Sequence, residues 1–152
     1  MVSVEPLPGR PLPVLDEENA FFWRSGADGR LRMLRCADCR YFAHPPGPRC
    51  PRCLSERLAP EPLSGIASVT AFTVNHQPWS SMPVPYVVAI VALEEQPDLY
   101  LTTNIVCCAQ ESVSVGMPVE VAFEHHATAA GDVYLPVFTP RQDGRHSGAD
   151  DR

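Results

Sequence analysis

The sequence predicts a mainly β protein: an N-terminal helix and a four-cysteine ribbon, followed by a five-stranded barrel. Three observations carry that expectation. Cys36, Cys39, Cys50 and Cys53 fall in the spacing C-x2-C-x10-C-x2-C. Five β-rich segments separated by turn residues follow between residues 69 and 138. Proline, at 17 of 152 residues, lacks the N–H that a helix interior needs and argues against a helical bundle.

Taken in order, residues 1–15 are Pro-rich and read as an extended arm. Asp16 reads as a helix N-cap, with Glu17 and Glu18 in the first turn, where the helix dipole favours acids. The helix carries Phe21, Phe22 and Trp23 and should stop at Gly26. Asp28-Gly29 signals a turn, and Arg30 to Arg35 reads as a short strand leading to Cys36. Helix and ribbon together occupy residues 16–60. Beyond them the strands are Val69 to Val74, Tyr86 to Leu93, Leu99 to Val106, Val119 to Glu124 and Val133 to Phe138. Tyr86 to Leu93 is apolar throughout, as suits a fully buried strand, whereas Val119 to Glu124 alternates as if one face were wet. Glu94 to Asp98 reads as a turn, Ser112 to Pro118 as a short irregular element, and His125 to Asp132 as a loop. Five strands over residues 61–140 fit the Greek-key OB barrel by size, although periodicity alone does not separate it from a small sandwich. Residues 141–152, rich in Gly, Asp, Arg and Ser, read as a disordered tail.

The cysteines point to one structural zinc. Thiolate is a soft ligand, and four of them meet the tetrahedral preference of the ion while leaving no position for a catalytic water. Two residues between cysteines let one tight turn present both sulfurs. Pro45, Pro46, Pro48 and Pro51 stiffen the loop between the pairs and lower the entropy lost on closing it. Zinc binding contributes on the order of 10–16 kcal/mol in comparable peptides, ample for a ribbon too small to hold by burial. The bland alternative is four reduced cysteines packed as small apolar residues. The paired Cys-x-x-Cys motifs favour a reducing cytoplasm. Residues 1–15 lack the apolar core of a secretory signal, and the run from Tyr86 to Leu93 is far short of the roughly 20 residues of a membrane span.

Charge is unevenly spread. Residues 1–60 hold nine Arg against seven acids, and residues 61–140 hold eight acids and no basic side chain. OB barrels and zinc ribbons often bind single-stranded nucleic acid, but that needs a positive groove. A barrel region of net charge −8 repels phosphates and argues against it.

Other residues are weaker candidates. Cys107 and Cys108 end a predicted strand and would point to opposite faces, so they do not build one site. His125 and His126 beside Glu124 suit a solvated loop better than a metal pair. His76 ends the first barrel strand, and catalysis there, or at the Cys107–Cys108 pair, would make the chain an independent enzyme. Trp79 and Met82, in the loop from Gln77 to Pro85, either cover the barrel mouth or meet a partner or an acyl chain. Three consecutive aromatics, Phe21 to Trp23, cannot share one helix face, so at least one should meet something other than its own core.

The motifs together resemble a known family. Phe22-Trp23, Leu31, Cys36-Ala-Asp-Cys39, His44-Pro45-Pro46, Cys50-Pro-Arg-Cys53 and Gly65 look like its ribbon half. Pro85-Tyr86 to Leu93, Val115-Gly116-Met117-Pro118-Val119 and Leu135-Pro136-Val137-Phe138 look like its barrel half. This is domain of unknown function family thirty-five, a rubredoxin-like zinc ribbon plus OB fold associated with acyl-CoA enzymes. The resemblance covers residues 17–140, with one departure: Leu54 stands where Gly is usual. It implies a non-catalytic accessory subunit in a hetero-oligomer with a thiolase-superfamily enzyme, a retro-aldolase or thiolase, as in bacterial steroid side-chain breakdown. A partnership with a hot-dog-fold enoyl-CoA hydratase is the alternative. It also implies acyl-CoA as a ligand of the complex. The charge distribution then assigns the CoA phosphates to ribbon arginines (Arg35, Arg40, Arg49, Arg52) or to the partner. Phe22, Trp23, His76, Trp79, Met82 and Tyr86, with Arg40, Arg49 and Arg52, are the expected partner or acyl-CoA contacts.

Overall fold

The structure is a computed structural model that describes residues 3–142. Within them the chain forms β1 (Ser3–Val4), α1 (Ala20–Arg24), β2 (Arg32–Cys36), β3 (Phe42–Ala43), β4 (Leu58–Pro62), β5 (Ile66–Asn75), β6 (Tyr86–Leu93), β7 (Tyr100–Ile105), β8 (Pro118–Thr128) and β9 (Gly131–Pro140). The expected tail lies outside the described residues from 143 onward. Strands β3-β2-β4 make the antiparallel ribbon sheet. Strands β8-β5-β6-β7-β9 make the barrel, which closes through the antiparallel β8–β9 ladder and a parallel contact of β7 with β9 at Ile105 and Phe138.

Alternation positions the core. Phe138, Val69, Val91 and Val119 are fully buried and fill the barrel. Leu31, Met33 and Phe42 of the ribbon and Phe22 of α1 belong to the same apolar cluster, so ribbon and barrel share one interior. Two polar braces fix their orientation. The Gln96 amide receives the Phe42 N–H at 2.9 Å and donates to the Phe42 carbonyl at 3.1 Å, capping the β3 edge as a neighbouring strand would. The Tyr41 hydroxyl donates to Asp98 at 2.6 Å.

The structure departs from several expectations. The helix is shorter: Asp16 Oδ1 caps a preceding turn by accepting the Glu18 and Asn19 N–H groups, and α1 begins only at Ala20, with Asn19 at its N-cap position. Gly26 does not end the helix; it lies within a 3-10 turn, Ser25–Asp28, against the barrel, where a Cβ would stand 2.3 Å from the Phe123 ring. His125 to Asp132 is not a loop. Strands β8 and β9 continue to a two-residue hairpin at residues 129–130, and His125 stacks on Tyr134 with centroids 4.7 Å apart. Neither of the two alanines at that turn is a turn-forming residue, which hid it. Cys107 and Cys108 lie beyond β7, with Cys107 in the left-handed region at φ 61°. Tyr86 to Leu93 is buried on one face only; Ile90 points outward at 41% exposure.

The arm is held against the barrel. Ser3 and Val4 pair in parallel with Phe123 and Glu124 of β8. Gly9, at φ 70°, packs so closely on the 76–85 loop that a Cβ would stand 2.4 Å from the Ser81 carbonyl oxygen. Arg10 then turns inward onto Glu124.

Candidate metal centre and the adjoining cleft

The two cysteine turns are built alike. The Arg40 N–H donates to the Cys36 carbonyl at 3.0 Å, and the Leu54 N–H to the Cys50 carbonyl at 2.9 Å. Arg40 and Leu54 both adopt φ 64°. Leu54 therefore occupies a left-handed position, which is why glycine is favoured there. The four sulfurs lie within 4.8 Å of one another, with Cys36–Cys53 and Cys39–Cys50 at 3.5 Å. A tetrahedron of zinc–sulfur bonds of about 2.3 Å has an edge of roughly 3.8 Å, so the donor set fits the ion. The backbone N–H groups of Cys39 and Asp38 aim at Cys36 and bring its thiol down to about 6. The Ser55 N–H supports the Cys53 thiolate, but desolvation and the three neighbouring thiols outweigh it and push that group up to about 12. Four thiolates this close require a cation to ionise together.

Most of the ribbon arginines already have partners. Arg35 lies 3.0 Å from Glu61 and covers the Phe42 ring at 4.5 Å. Arg40 reaches Glu61 at 3.5 Å, Arg49 reaches Glu56 at 2.5 Å, and Arg57 pairs with Asp38. Arg52 lies over Tyr41 at 5.9 Å and has no carboxylate partner among the described residues. Exposed pairs of this kind are weak and screened by solvent, so an incoming phosphate can exchange for the carboxylates.

Beside the ribbon, a cleft of about 680 Å³ opens between α1, the loop after β3 and the outer side of β6–β7. Phe22, Trp23, His44, Pro45, Ile90 and Tyr100 line it, with Asp16 and Glu18 at its lip. Trp23 meets Phe22 edge to face at 4.8 Å, and His44 lies 4.9 Å from Phe22. Burial lowers the His44 pKa, so the ring is neutral at pH 7.

The remaining candidates are dispersed. His76 is exposed, with no hydrogen bond among the described residues. Trp79 is 81% exposed, its indole N–H donating to Asn75 Oδ1 at 3.1 Å. Met82 is buried, with its sulfur 4.0 Å from Arg10, and Tyr86 is half-buried at the start of β6. His125 and His126 do not form a metal pair: His125 faces Asp132 and His126 faces Glu124, each at 3.2 Å. Sequence reasoning missed Arg10 and its two partners, Asn104 and Glu124, which lie 94 and 114 residues from it in sequence. It also missed the cation they bring: Arg10 neutralises Glu124 between the arm and a barrel whose own 80 residues contain no basic side chain. A Glu in the alternating run from Val119 to Glu124 was the available signal. Among the described residues no helix is long and apolar enough to cross a membrane.

Comparison with known proteins agrees with this architecture. Residues 23–59 match the family model described as the ChsH2 rubredoxin-like zinc ribbon domain, and residues 60–124 the ChsH2 C-terminal OB-fold domain. A probable enoyl-CoA hydratase alpha subunit of Thermomonospora curvata is 37% identical over 132 residues, 86% of this chain and 40% of that protein. The 3-oxo-4,17-pregnadiene-20-carboxyl-CoA hydratase alpha subunit of Mycobacterium tuberculosis is 31% identical, over 73% of this chain and 35% of that protein. The chain thus spans well under half the length of these two relatives. A DUF35 domain-containing scaffold protein of Methanothermobacter thermautotrophicus is 33% identical, over 61% of this chain and 71% of that protein. Among solved structures, a chain of the Ltp2-ChsH2(DUF35) aldolase superposes with a TM-score of 0.74 at 36% identity, covering 85% of this chain and 98% of that one. Both halves of the fold, the four converging thiols and these matches lead to one assignment: the chain belongs to the DUF35 family, as a zinc ribbon and OB-fold domain of the ChsH2 type.

Proposed function

We propose that this chain is a zinc-containing accessory subunit of a thiolase-superfamily enzyme, a retro-aldolase or thiolase that acts on acyl-CoA esters in steroid side-chain degradation. The observation that carries the reading is the match to the aldolase's DUF35 chain over 98% of that chain's length. In this reading Cys36, Cys39, Cys50 and Cys53 hold one zinc, which ties the two turns together and supplies no reaction step. The ribbon then presents Arg52, with Arg40 and Arg49, to the phosphates of coenzyme A. The catalytic groups belong to the partner.

A second reading has its own support. Two relatives are named as hydratase alpha subunits, so the chain would serve a hot-dog-fold enoyl-CoA hydratase in the same kind of pathway. One experiment separates the two. The chain is co-expressed with each thiolase-superfamily protein of its source organism, and separately with each hot-dog-fold hydratase. Co-purification, zinc content and cleavage or hydration of acyl-CoA esters are then measured. A stable complex with a thiolase-superfamily protein, whose activity needs both chains, is expected. Binding only to a hydratase selects the second reading, and turnover by the chain alone rejects both. Within a complex, Arg52→Ala should weaken acyl-CoA binding; unchanged affinity in Arg40, Arg49 and Arg52 variants removes the ribbon as the phosphate site.

A further inference from the structure

Core burial does not explain the outer face of β6, of which the Tyr86–Val88 end adjoins Arg10 and Pro11 of the arm while Ile90 is exposed. A strand with one face in solvent ordinarily alternates apolar and polar residues. Here the core takes Val87, Ala89, Val91 and Leu93, yet the outward set, Tyr86, Val88, Ile90 and Ala92, is just as free of charge. Its neighbours across the ladders match it. Ala71 and Thr73 of β5 stand opposite Ile90 and Val88, and Thr102 and Tyr100 of β7 stand opposite Ile90 and Ala92. No Asp, Glu, Lys or Arg occurs from residue 62 to residue 93, nor in β7. Exposed sheet surfaces normally carry charges that prevent unwanted association, whereas the centres of protein interfaces are depleted of them.

This face is continuous with the cleft, because Ile90, Tyr100 and Thr102 belong to both. The cleft's lip is acidic. Asp16 and Glu18 stand on it with Glu17 beside them, and none forms an ion pair among the described residues. We infer that the outer face of β5–β6–β7, together with the cleft, seats the catalytic partner subunit through an uncharged centre flanked by a partner Lys or Arg opposite Asp16–Glu18. The inference rests on the accessory-subunit reading and adds where the partner sits.

Size supports a seat that extends beyond the sheet. Three strands about 4.8 Å apart, with about seven residues each at about 3.3 Å, present roughly 300 Å². A stable interface covers about 800 Å² per partner. The partner must therefore also cover the cleft and its lip, bridging barrel and ribbon. The Gln96–Phe42 and Tyr41–Asp98 braces hold those two halves in register. A second copy of this chain suits the surface less well: an isologous contact uses the same patch twice, and the cation that adjoins the patch, Arg10, is buried and already paired with Glu124, so it does not meet the acidic lip.

The test uses the full chain and the thiolase-superfamily subunit that co-purifies with it. Ile90→Glu and Thr102→Glu place a charge at the centre, and Glu18→Lys reverses the lip. Val115→Glu, at a position 67% exposed and outside the face, is the control. Thermal melts show that each variant folds, and ultracentrifugation of the chain alone reads self-association. Ile90→Glu should weaken the complex by about 100-fold or more, Glu18→Lys by about 5- to 10-fold with a flatter salt dependence, and Val115→Glu should bind as the wild type does. If the wild type binds while Ile90→Glu and Thr102→Glu bind equally well, this face is not the seat, and the accessory reading stands. If the wild type binds no thiolase-superfamily protein of its organism, that reading fails and this inference with it. If Ile90→Glu dissolves a homodimer and leaves the hetero-complex intact, the occupant is a second copy and the inference is overturned.

Discussion

Arg10→Met should cost this protein a large part of its stability, although the residue lies in an arm with only two residues in a strand. Glu124 is fully buried on β8 and takes Arg10 Nε and Nη2 on its two oxygens at 2.6 Å each. Arg10 Nη1 also donates to Asn104 Oδ1 at 2.7 Å. Side-chain exposures of 9% and 1% leave solvent little room to screen the pair. Removing one member of a buried ion pair costs about 3–5 kcal/mol, because the other charge stays behind unpaired. His126, 3.2 Å from Glu124, keeps one contact and places the expected loss near the lower end. Against a typical total of about 5–15 kcal/mol, that is a fifth of the stability or more. At about 2–4 °C per kcal/mol, a loss near ~3 kcal/mol should lower Tm by roughly 6–12 °C. Urea unfolding of Arg10→Met, Glu124→Leu and the double variant, with zinc present, gives the coupling directly. The double variant should recover to within about 2 kcal/mol of wild type, since Met and Leu can pack beside Met82. Single losses below about 1 kcal/mol, or strictly additive losses, would refute the argument that the arm supplies an essential buried charge.

Further expectations follow from the same geometry. Leu54→Gly removes a side chain from a left-handed position that costs about 1–2 kcal/mol, and should slow zinc release to a chelator; faster release would show that the φ 64° turn is unstrained. Withdrawing the metal, or Cys39→Ser, should abolish amide protection in β2–β4 and lower the melting point of the whole chain, because ribbon and barrel share one core. An apo protein that melts as the holo protein does contradicts this. Gln96→Ala strips both hydrogen bonds from Phe42 and should lose about 1–3 kcal/mol, whereas Gln96→Glu should fail to restore the donor to the Phe42 carbonyl. Asp28 is held at about 2 by hydrogen bonds from Arg32, so its contribution is present above the ordinary carboxylate range near 3.9 and disappears as pH falls through about 2. A carboxyl titration by NMR should show that midpoint, and Arg32→Met should return it to the ordinary range.

The ribbon was readable because its information is local. Two residues between cysteines make a turn, and chemistry selects the ion, so Cys36, Cys39, Cys50 and Cys53 could be named without coordinates. The five barrel strands were readable from alternation and β-branching, although the β8–β9 hairpin escaped because Ala129 and Ala130 carry no turn signal. Tyr86 to Leu93 was misread for the opposite reason. Its pattern is that of a strand buried on both faces, and the fold buries only one.

By itself, then, the order of residues determined the two cysteine turns, the strand content and the absence of basic side chains from the barrel region. Only the tertiary structure decided that Arg10 of the arm neutralises Glu124, that Gln96 braces the ribbon, and that an uncharged sheet face runs into an acidic-lipped cleft. The reason is distance along the chain. Knuckles and strands are set by interactions over a few residues, which composition and spacing encode. A pairing across 114 residues, or a surface assembled from α1, β6 and β7, exists only once the chain has closed on itself.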